Sequence, residues 1–298
     1  MASILKILPL IIRQNFGKQI LERIPEKFSE VTDDENNVLQ YDRVMETKLA
    51  ISYAIAIETT YRARTKPFGG QALDVCCGPG HLAITMAKEL NLDRLIGIDL
   101  SRPMVDIANQ NAIKQKIDNV SFEQGDATHL SQFHDGHFDL TTMMDAAHHM
   151  PSLEVLGQVF RELDRVTAQD GVVVVMDLVR LRTREITESY IELLANDYVE
   201  RGLPAFKKDF SDSMFAAWTS SQFRQAIPQQ SNRSWSMLVP RGLPFAQFAI
   251  GYPKDRPLFL KRRRLWMHDT EIPVTTDNLR DYRTARLTLS LARTKTQT

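Results

Sequence analysis

The sequence predicts an α/β protein with a doubly wound, mostly parallel seven-stranded sheet and an antiparallel last strand. Three observations carry this reading. Apolar strand-length segments alternate with helical ones between residues 71 and 176. A tight turn, Gly78-Pro79-Gly80, joins the first of those strands to the first of those helices. Acids close successive strands, with Asp99, Asp126, Asp145 and Asp177 each at or just past a strand end. Ligands of such sheets bind beyond the carboxyl ends of the strands, so this rim is a candidate binding cleft.

Residues 1–65 read as a helical N-terminal segment. Between Ala2 and Leu21 stand Lys6, Arg13 and Lys18 and no acid, while Ile4, Leu8, Ile11, Phe16, Ile20 and Ile24 fall near helical spacing. The pattern suits a helix packed on the domain, a transit peptide or a membrane-surface helix. Pro9 is expected to break or kink it. Residues 36–63, rich in Ala, Ile and Tyr, read as helical. Residues 66–251 form the sheet-bearing core. Its first strand, 71–76, is followed by a helix from His81 to Leu90, and its second covers 94–99. Ser101 is placed to cap the next helix, with Pro103 in the first turn, where proline is tolerated. Strands follow at 120–122 and 138–143, then a helix from Leu153 to Val166. Gly171 opens the most apolar strand, 172–176. Residues 181–231 read as an amphipathic helical insertion, a lid, in which Thr219 caps one helix. Residues 235–239 and 245–250 read as a final antiparallel strand pair. Residues 252–298 form a basic extension, with eleven Lys or Arg against five acids and a run at Lys261-Arg262-Arg263-Arg264.

Composition narrows the function. The 298 residues are 43% hydrophobic and 25% charged, as expected of a globular chain. Lys plus Arg equals Asp plus Glu at 37 each, so there is no global attraction to nucleic acid or to an anionic surface. The two cysteines, Cys76 and Cys77, are adjacent, which suits neither a disulfide nor CxxC metal spacing. No metal is expected, and the compartment reads as reducing and cytoplasmic, with organellar targeting left open. No apolar run reaches the roughly 20 residues needed to cross a bilayer.

The segment Leu73-Asp74-Val75-Cys76-Cys77-Gly78-Pro79-Gly80 resembles the first motif of class I methyltransferases, Asp-x-Gly-x-Gly-x-Gly. Its turn must let the backbone approach a ligand, and a side chain there would block it. The helix that follows offers free N–H groups to a carboxylate. The spacing is not that of the dinucleotide fingerprint GxGxxG. Asp99, about 20 residues on, is placed to accept two ribose hydroxyls. Gly125-Asp126-Ala127 resembles the family's adenine-recognition turn, and Phe138-Asp139-Leu140 with His148-His149-Met150 its fourth-strand region. Arg23-Ile24-Pro25-Glu26, Met176 to Arg180 and Asp209 to Trp218 resemble a poorly characterised bacterial subgroup acting on small molecules. The resemblance covers roughly residues 20–250. It implies a Rossmann-like fold and S-adenosyl-L-methionine as cofactor. Asp74, Cys76, Gly78, Gly80, Asp99, Leu100, Met104, Asp126, Ala127 and Asp145 would bind it. Cys76 departs from the family by standing at its first glycine. Met143-Met144-Asp145 stands where the subgroup has small polar residues, which predicts a more apolar pocket.

The resemblance implies methyl transfer to a small-molecule acceptor. If the acceptor must lose a proton, His148 is the candidate base, because imidazole titrates near neutral pH. His149 is the alternative, and adjacent residues are expected to point apart. Asp145 would contact cofactor or acceptor, and Asp177, Arg180, Tyr190 and Asp212 are candidate acceptor residues. An adenine-amino methyltransferase would carry Asn/Asp-Pro-Pro-aromatic where this chain has Asp145-Ala146-Ala147-His148, so nucleic acid is not the expected partner. RNA methylation through the basic extension, a different reaction of the same cofactor (cyclisation, elimination or decarboxylation) and cofactor binding without catalysis stay open as alternatives.

Overall fold

The computed structural model describes residues 4–26, 35–48, 50–64, 69–200, 203–240, 244–255 and 292–296. Three helices precede the sheet: α1 (Ile4–Phe16), α2 (Glu35–Lys48) and α3 (Ala50–Ala63). The parallel part follows as β1 (Gln71–Val75), α4 (His81–Glu89), β2 (Arg94–Asp99), α5 (Arg102–Lys114), β3 (Val120–Gln124), β4 (Phe138–Met144), α6 (Leu153–Val166) and β5 (Thr167–Leu178). Then come the insertion helices α7 (Arg184–Glu200), α8 (Pro204–Ala216) and α9 (Ser220–Gln225), and the strands β6 (Arg233–Pro240), β7 (Ala246–Pro253) and β8 (Ala292–Thr296).

The strands form one sheet in the order β3-β2-β1-β4-β5-β7-β6-β8. β1 to β5 are mutually parallel, and β7 enters antiparallel between β5 and β6. The first seven strands are therefore those the sequence predicts. The eighth lies in the C-terminal extension and pairs antiparallel with β6. Its sequence, Ala-Arg-Thr-Lys-Thr, has no apolar alternation to announce a strand. The run Lys261–Arg264 lies outside the described residues.

Strand alternation sorts the core into two layers. Ala72, Leu95, Leu140 and Val174 face α3, α4 and α5. Leu73, Val75, Ile98 and Val175 face α6, with Trp218 and Trp235 closing that side. Met143 and Met144 are consecutive on β4, so one enters each layer and both are buried. They pack the sheet, which corrects the expectation that they make a pocket apolar. Gly171 is required by close approach: a Cβ there would lie 2.8 Å from the Asp139 carbonyl oxygen, beside the register shift between β4 and β5.

A third core lies in the helical cap. It joins Leu10 of α1, Val44 of α2, Ile186, Tyr190 and Ile191 of α7, Phe206 and Met214 of α8, and Phe245. α1 runs through Pro9 without ending there. Proline forfeits one N–H bond, while Leu10 and Gln14 stay buried on the cap.

Candidate functional site

The turn after β1 is built for close approach. Cys76 (φ 55°), Gly78 (φ 52°) and Gly80 (φ 78°) all adopt left-handed backbone. Three bonds fix it: Cys77 N–H to the Ile98 carbonyl (3.0 Å), Gly80 N–H to the Cys77 carbonyl (3.1 Å) and Gly78 N–H to Asp99 Oδ2 (2.9 Å). At Gly80 a Cβ would sit 2.6 Å from Phe122 Cζ, so only glycine fits. Behind the turn, Asn111 Nδ2 donates to the Pro79 carbonyl and to Asp42 Oδ1, both at 2.9 Å, and His81 Nε2 lies 2.7 Å from that same oxygen. Asp42 belongs to α2, so this network pins α2 against the turn. Tyr41 then lies over Gly78, where a Cβ would meet its ring at 3.8 Å.

Two acids lie near each other at the ends of β1 and β2, Asp74 buried and Asp99 partly buried. Asp74 Oδ1 accepts from Thr142 Oγ1 at 2.6 Å. Burial raises its carboxyl to about 7; the Thr142 bond opposes this and the Asp99 charge adds to it. Asp99 spends one oxygen on Gly78 N–H and the other on Ser101 N–H, each at 2.9 Å. Burial raises it too, against those backbone bonds. Among the described residues neither acid has an ion-pair partner. Met104 donates its N–H to the Ser101 cap, and Leu100 is exposed, its carbonyl held by Gln124. Asp126 is exposed and uses Oδ1 on Thr128 N–H and Oγ1, both at 2.8 Å, beside buried Ala127. Burial holds the Cys76 and Cys77 thiols well above their ordinary range, so both are neutral.

Past β4 the chain holds a second group of charges. Asp145 also has left-handed backbone (φ 51°), and its N–H binds the Met176 carbonyl at 2.8 Å. Burial and the Asp177 charge raise its carboxyl to about 7, with His148 opposing. A 3-10 turn, Ala147–His149, follows. Here two imidazole–carboxylate pairs stand side by side. His148 Nδ1 lies 2.6 Å from Asp177 Oδ1, and His149 Nδ1 pairs with Glu26 Oε2. The ring centroids are 4.1 Å apart. The two rings therefore do not point apart as expected, because Asp177 on β5 and Glu26 on the N-terminal segment draw both to one space.

Burial alone would lower the His148 pKa. The charge and hydrogen bond of Asp177, with Glu26 and Asp145, outweigh it and raise the value to about 9. For Glu26 burial pushes upward, but His149, His148 and Ser213 bring it down to about 2. Ser213 Oγ donates to the other Glu26 oxygen at 2.8 Å. Asp209, one turn earlier on α8, is raised to about 6 by burial, and its Oδ1 has no hydrogen-bond partner. One ligand atom from each of Glu26, His148 and His149 lies within 4.8 Å of the others, a spacing open to a divalent cation. Each imidazole is instead paired with its own carboxylate.

Residues 17–26 form a strap over this group. Arg23 Nε donates to the Ala216 carbonyl at 2.7 Å. Its Nη1 donates to Pro151 at 3.1 Å, and its Nη2 to the His148 and Met150 carbonyls at 2.9 and 2.8 Å. The guanidinium stacks 3.7 Å from the Trp218 ring, and Trp218 Nε1 reaches the Ala147 carbonyl at 2.8 Å. Aromatic rings wall the cap side: Tyr190 stacks on Phe245 at 4.0 Å, and Tyr41 lies 6.4 Å from Phe206.

Two candidate acceptor residues point elsewhere. Asp212 is a half-exposed partner of Lys208 Nζ at 2.7 Å, and the residues of α8 that reach the group are Asp209 and Ser213. Arg180 Nη2 donates to Gln222 Oε1 at 2.7 Å, in the capping box of α9. Tyr190 and Asp177 do lie at the group; burial and Asp145 both push the Tyr190 phenol up. Sequence reasoning gave no role to Arg23, Glu26, Tyr41, Asp209 or Ser213. The stretches Arg23–Glu26 and Asp209–Ser213 were legible as subgroup motifs, but not as contacts of His149.

Residues 72–171 match the family model described as a methyltransferase domain. A demethylmenaquinone methyltransferase of Lactobacillus johnsonii is 33% identical over 164 residues, 53% of this chain and 63% of that protein. An uncharacterized methyltransferase of Bacillus subtilis is 35% identical over 107 residues, 36% of this chain and 40% of that one. The chain thus spans less than two thirds of either relative. Among solved structures, an S-adenosylmethionine-dependent methyltransferase fold from Methanococcus maripaludis superposes with a TM-score of 0.57 at 18% identity, over 80% of this chain and 99% of that one. The plantazolicin methyltransferase BpumL, solved with a monoazolic desmethylPZN analog and SAH, gives 0.57 at 16% identity over 84% of this chain and 98% of that one. At these identities the likeness is one of fold.

Proposed function

We propose that this chain, a class I S-adenosylmethionine-dependent methyltransferase by its matched domain and its fold, methylates a small aromatic acceptor of the quinol type whose hydroxyl must lose a proton. The cofactor fits the residues present. Asp74 is a buried and Asp99 a partly buried carboxylate, neither with an ion-pair partner among the described residues, and the cofactor would bring an ammonium and a sulfonium to that end of the sheet. Gly78 and Gly80 would leave room for its amino acid portion, and Asp99 and Asp126 would take its ribose and adenine.

The observation that carries the acceptor reading is the buried His148–Asp177 pair. It stands beside Asp145, where β4 and β5 end, under the aromatic wall of the cap. Asp177 Oδ1 fixes the Nδ1 proton, which leaves Nε2 to exchange a proton with an acceptor oxygen. A base held near 9 is matched to a phenolic hydroxyl, which ordinarily titrates near 10. The rings of Tyr41, Tyr190 and Phe245 suit an aromatic body. The cofactor supplies an activated methyl group on a good leaving group, so the protein's main task is alignment. Curated relatives named demethylmenaquinone methyltransferases support a quinone-derived acceptor.

The test is transfer of labelled methyl from S-adenosylmethionine to a panel of quinols and simple phenols. Label is expected in a quinol product, with turnover reduced at least ~100-fold in His148→Ala, the scale of a lost general base. SAH affinity should be retained in that variant. Absence of label from every hydroxylated aromatic, or full activity in His148→Ala, would refute the reading.

A further inference from the structure

The N-terminal segment carries a surface that neither the cofactor nor the acceptor reading uses. One face of α1 is committed to the cap: Leu10 is buried, and Ile7 and Ile11 pack beside it. Gln14 Oε1 accepts from Arg182 N–H at 2.9 Å. The other face, with Leu8, Ile12 and Phe16, is open, and Ile20 and Ile24 follow on the non-helical strap. Leu8, Ile12 and Ile24 are about half exposed, Ile20 is 66% exposed and Phe16 is 86% exposed. These five recur every fourth residue. They account for most of the large apolar side chains exposed among the described residues; the other four, Leu39, Leu100, Ile113 and Val199, sit on separate elements. An exposed apolar row of this kind marks an interaction surface rather than ordinary surface scatter.

The row leads to the candidate site. Past α1 the chain is tied along the cap, with Ile20 and Leu21 N–H on the Arg182 carbonyl (2.9 and 3.0 Å) and Ile24 N–H on the Phe215 carbonyl (3.1 Å). Two residues later Glu26 pairs with His149. The first 21 residues contain Lys6, Arg13 and Lys18 and no acid; Arg13 is paired with Glu185 at 2.7 Å, and the exposed Glu22 follows within the strap, so the net charge of residues 4–24 stays positive. A second copy of the chain would bring the same cations to the same row, whereas an anionic bilayer complements them. A helix of 13 residues is far too short to span a bilayer but sufficient to lie in its surface.

We infer that α1 and the strap form a docking face for an anionic lipid surface, with Leu8, Ile12, Phe16, Ile20 and Ile24 entering the headgroup boundary and the exposed Lys18 beside them. Docking this way sets the strap end of the site next to the bilayer, the side from which an apolar acceptor would arrive. The inference stands on exposure and charge and does not depend on the identity of the acceptor.

The experiment is co-sedimentation of the full chain with vesicles of phosphatidylcholine, with and without phosphatidylglycerol. Binding is expected with phosphatidylglycerol vesicles, weakening as salt is raised. The double variant Phe16→Ser/Ile20→Ser should lose it at least ~tenfold while keeping its melting temperature and SAH affinity. Lys18→Glu should weaken binding to the anionic vesicles alone. The inference is overturned if the wild-type chain stays in the supernatant, if the double variant sediments like wild type, or if both vesicle types bind equally. A concentration-dependent dimer abolished by the double variant, without vesicle binding, would assign the row to a second copy instead.

Discussion

His148 Nδ1 and Asp177 Oδ1 lie 2.6 Å apart, and both side chains are buried. The carboxylate therefore fixes both the orientation and the proton affinity of the ring. With a pKa near 9, only a small fraction of His148 is free base at neutral pH. If it acts as base, the rate of methyl transfer rises with pH and levels off above about 9. Asp177→Asn keeps the shape but removes the charge. Its ascending limb should move down toward the ordinary histidine value of about 6.5, with kcat reduced more than KM. Leaving the buried group imperfectly paired should cost about 1–3 kcal/mol of stability. A limb that stays near 9 in the variant would separate Asp177 from the titration.

The cofactor-free protein should lose stability as pH rises from about 5 to about 9. His148 is raised above its unfolded value, so its contribution is complete below about 6.5 and is lost as pH rises through about 9. Asp74 and Asp145, raised from 3.8 to about 7, act in the same direction: the folded chain holds protons that the unfolded chain has released, and that advantage vanishes as pH passes 7. Glu26 is lowered to about 2, so its contribution is lost only in acid, as pH falls through that value. Melting temperature of the cofactor-free chain against pH checks the sign; a curve rising across this window would contradict it.

Cofactor affinity should follow the opposite course. Asp74 must ionise to receive an ammonium, so binding should weaken as pH falls below about 7, approaching tenfold per pH unit. Asp99→Ala removes the carboxylate that also holds the Gly78 and Ser101 N–H groups, and should weaken binding by roughly 1–3 kcal/mol. Calorimetry with SAH measures both. Unchanged affinity in Asp99→Ala would remove the ribose from this position.

Those expectations rest on the portion of the site that is local in sequence. β1, the turn, α4 and Asp99 lie within 30 residues, and their strand period, glycines and Ser101 cap are each visible in the chain. The Thr219 capping box is visible for the same reason. The acceptor side is assembled differently. Glu26 meets His149 across 123 residues and Ser213 across 187, and no local period encodes either meeting. Met143 and Met144 show the converse: a pair that looks like pocket lining is divided by strand alternation between two cores. Asp212 lies one helical position off, paired with Lys208, while Ser213 is the α8 residue that bonds Glu26.

Cys76 stands in a left-handed conformation that costs a side-chain-bearing residue about 1–2 kcal/mol. Cys76→Gly relieves that strain and adds unfolded-chain entropy worth roughly 0.5–1 kcal/mol. The net expectation is a cofactor-free protein stabilised by up to about 1 kcal/mol, with SAH bound more tightly because no thiol crowds the turn. Chemical denaturation and calorimetry on the variant provide the check, and a clear destabilisation would show that the thiol packs better than its backbone suggests.

Arg23 joins the strap to the 147–151 turn and to α8 through four carbonyl bonds and the Trp218 face. Carbonyls at the end of a turn have few other donors within reach, so Arg23→Ala leaves several of them to water or unpaired, at a cost of at least ~2 kcal/mol. Arg23→Lys should recover little of this. A single ammonium cannot span Ala216, His148 and Met150 as a planar fork does, and it stacks less well on indole. The effect on the site should exceed the effect on cofactor: with the strap loosened, Glu26 no longer holds His149, so KM for the acceptor should rise while SAH affinity stays within about twofold. Equal losses in both would mean that Arg23 supports the whole domain, and a fully active Arg23→Lys would mean that its charge alone suffices.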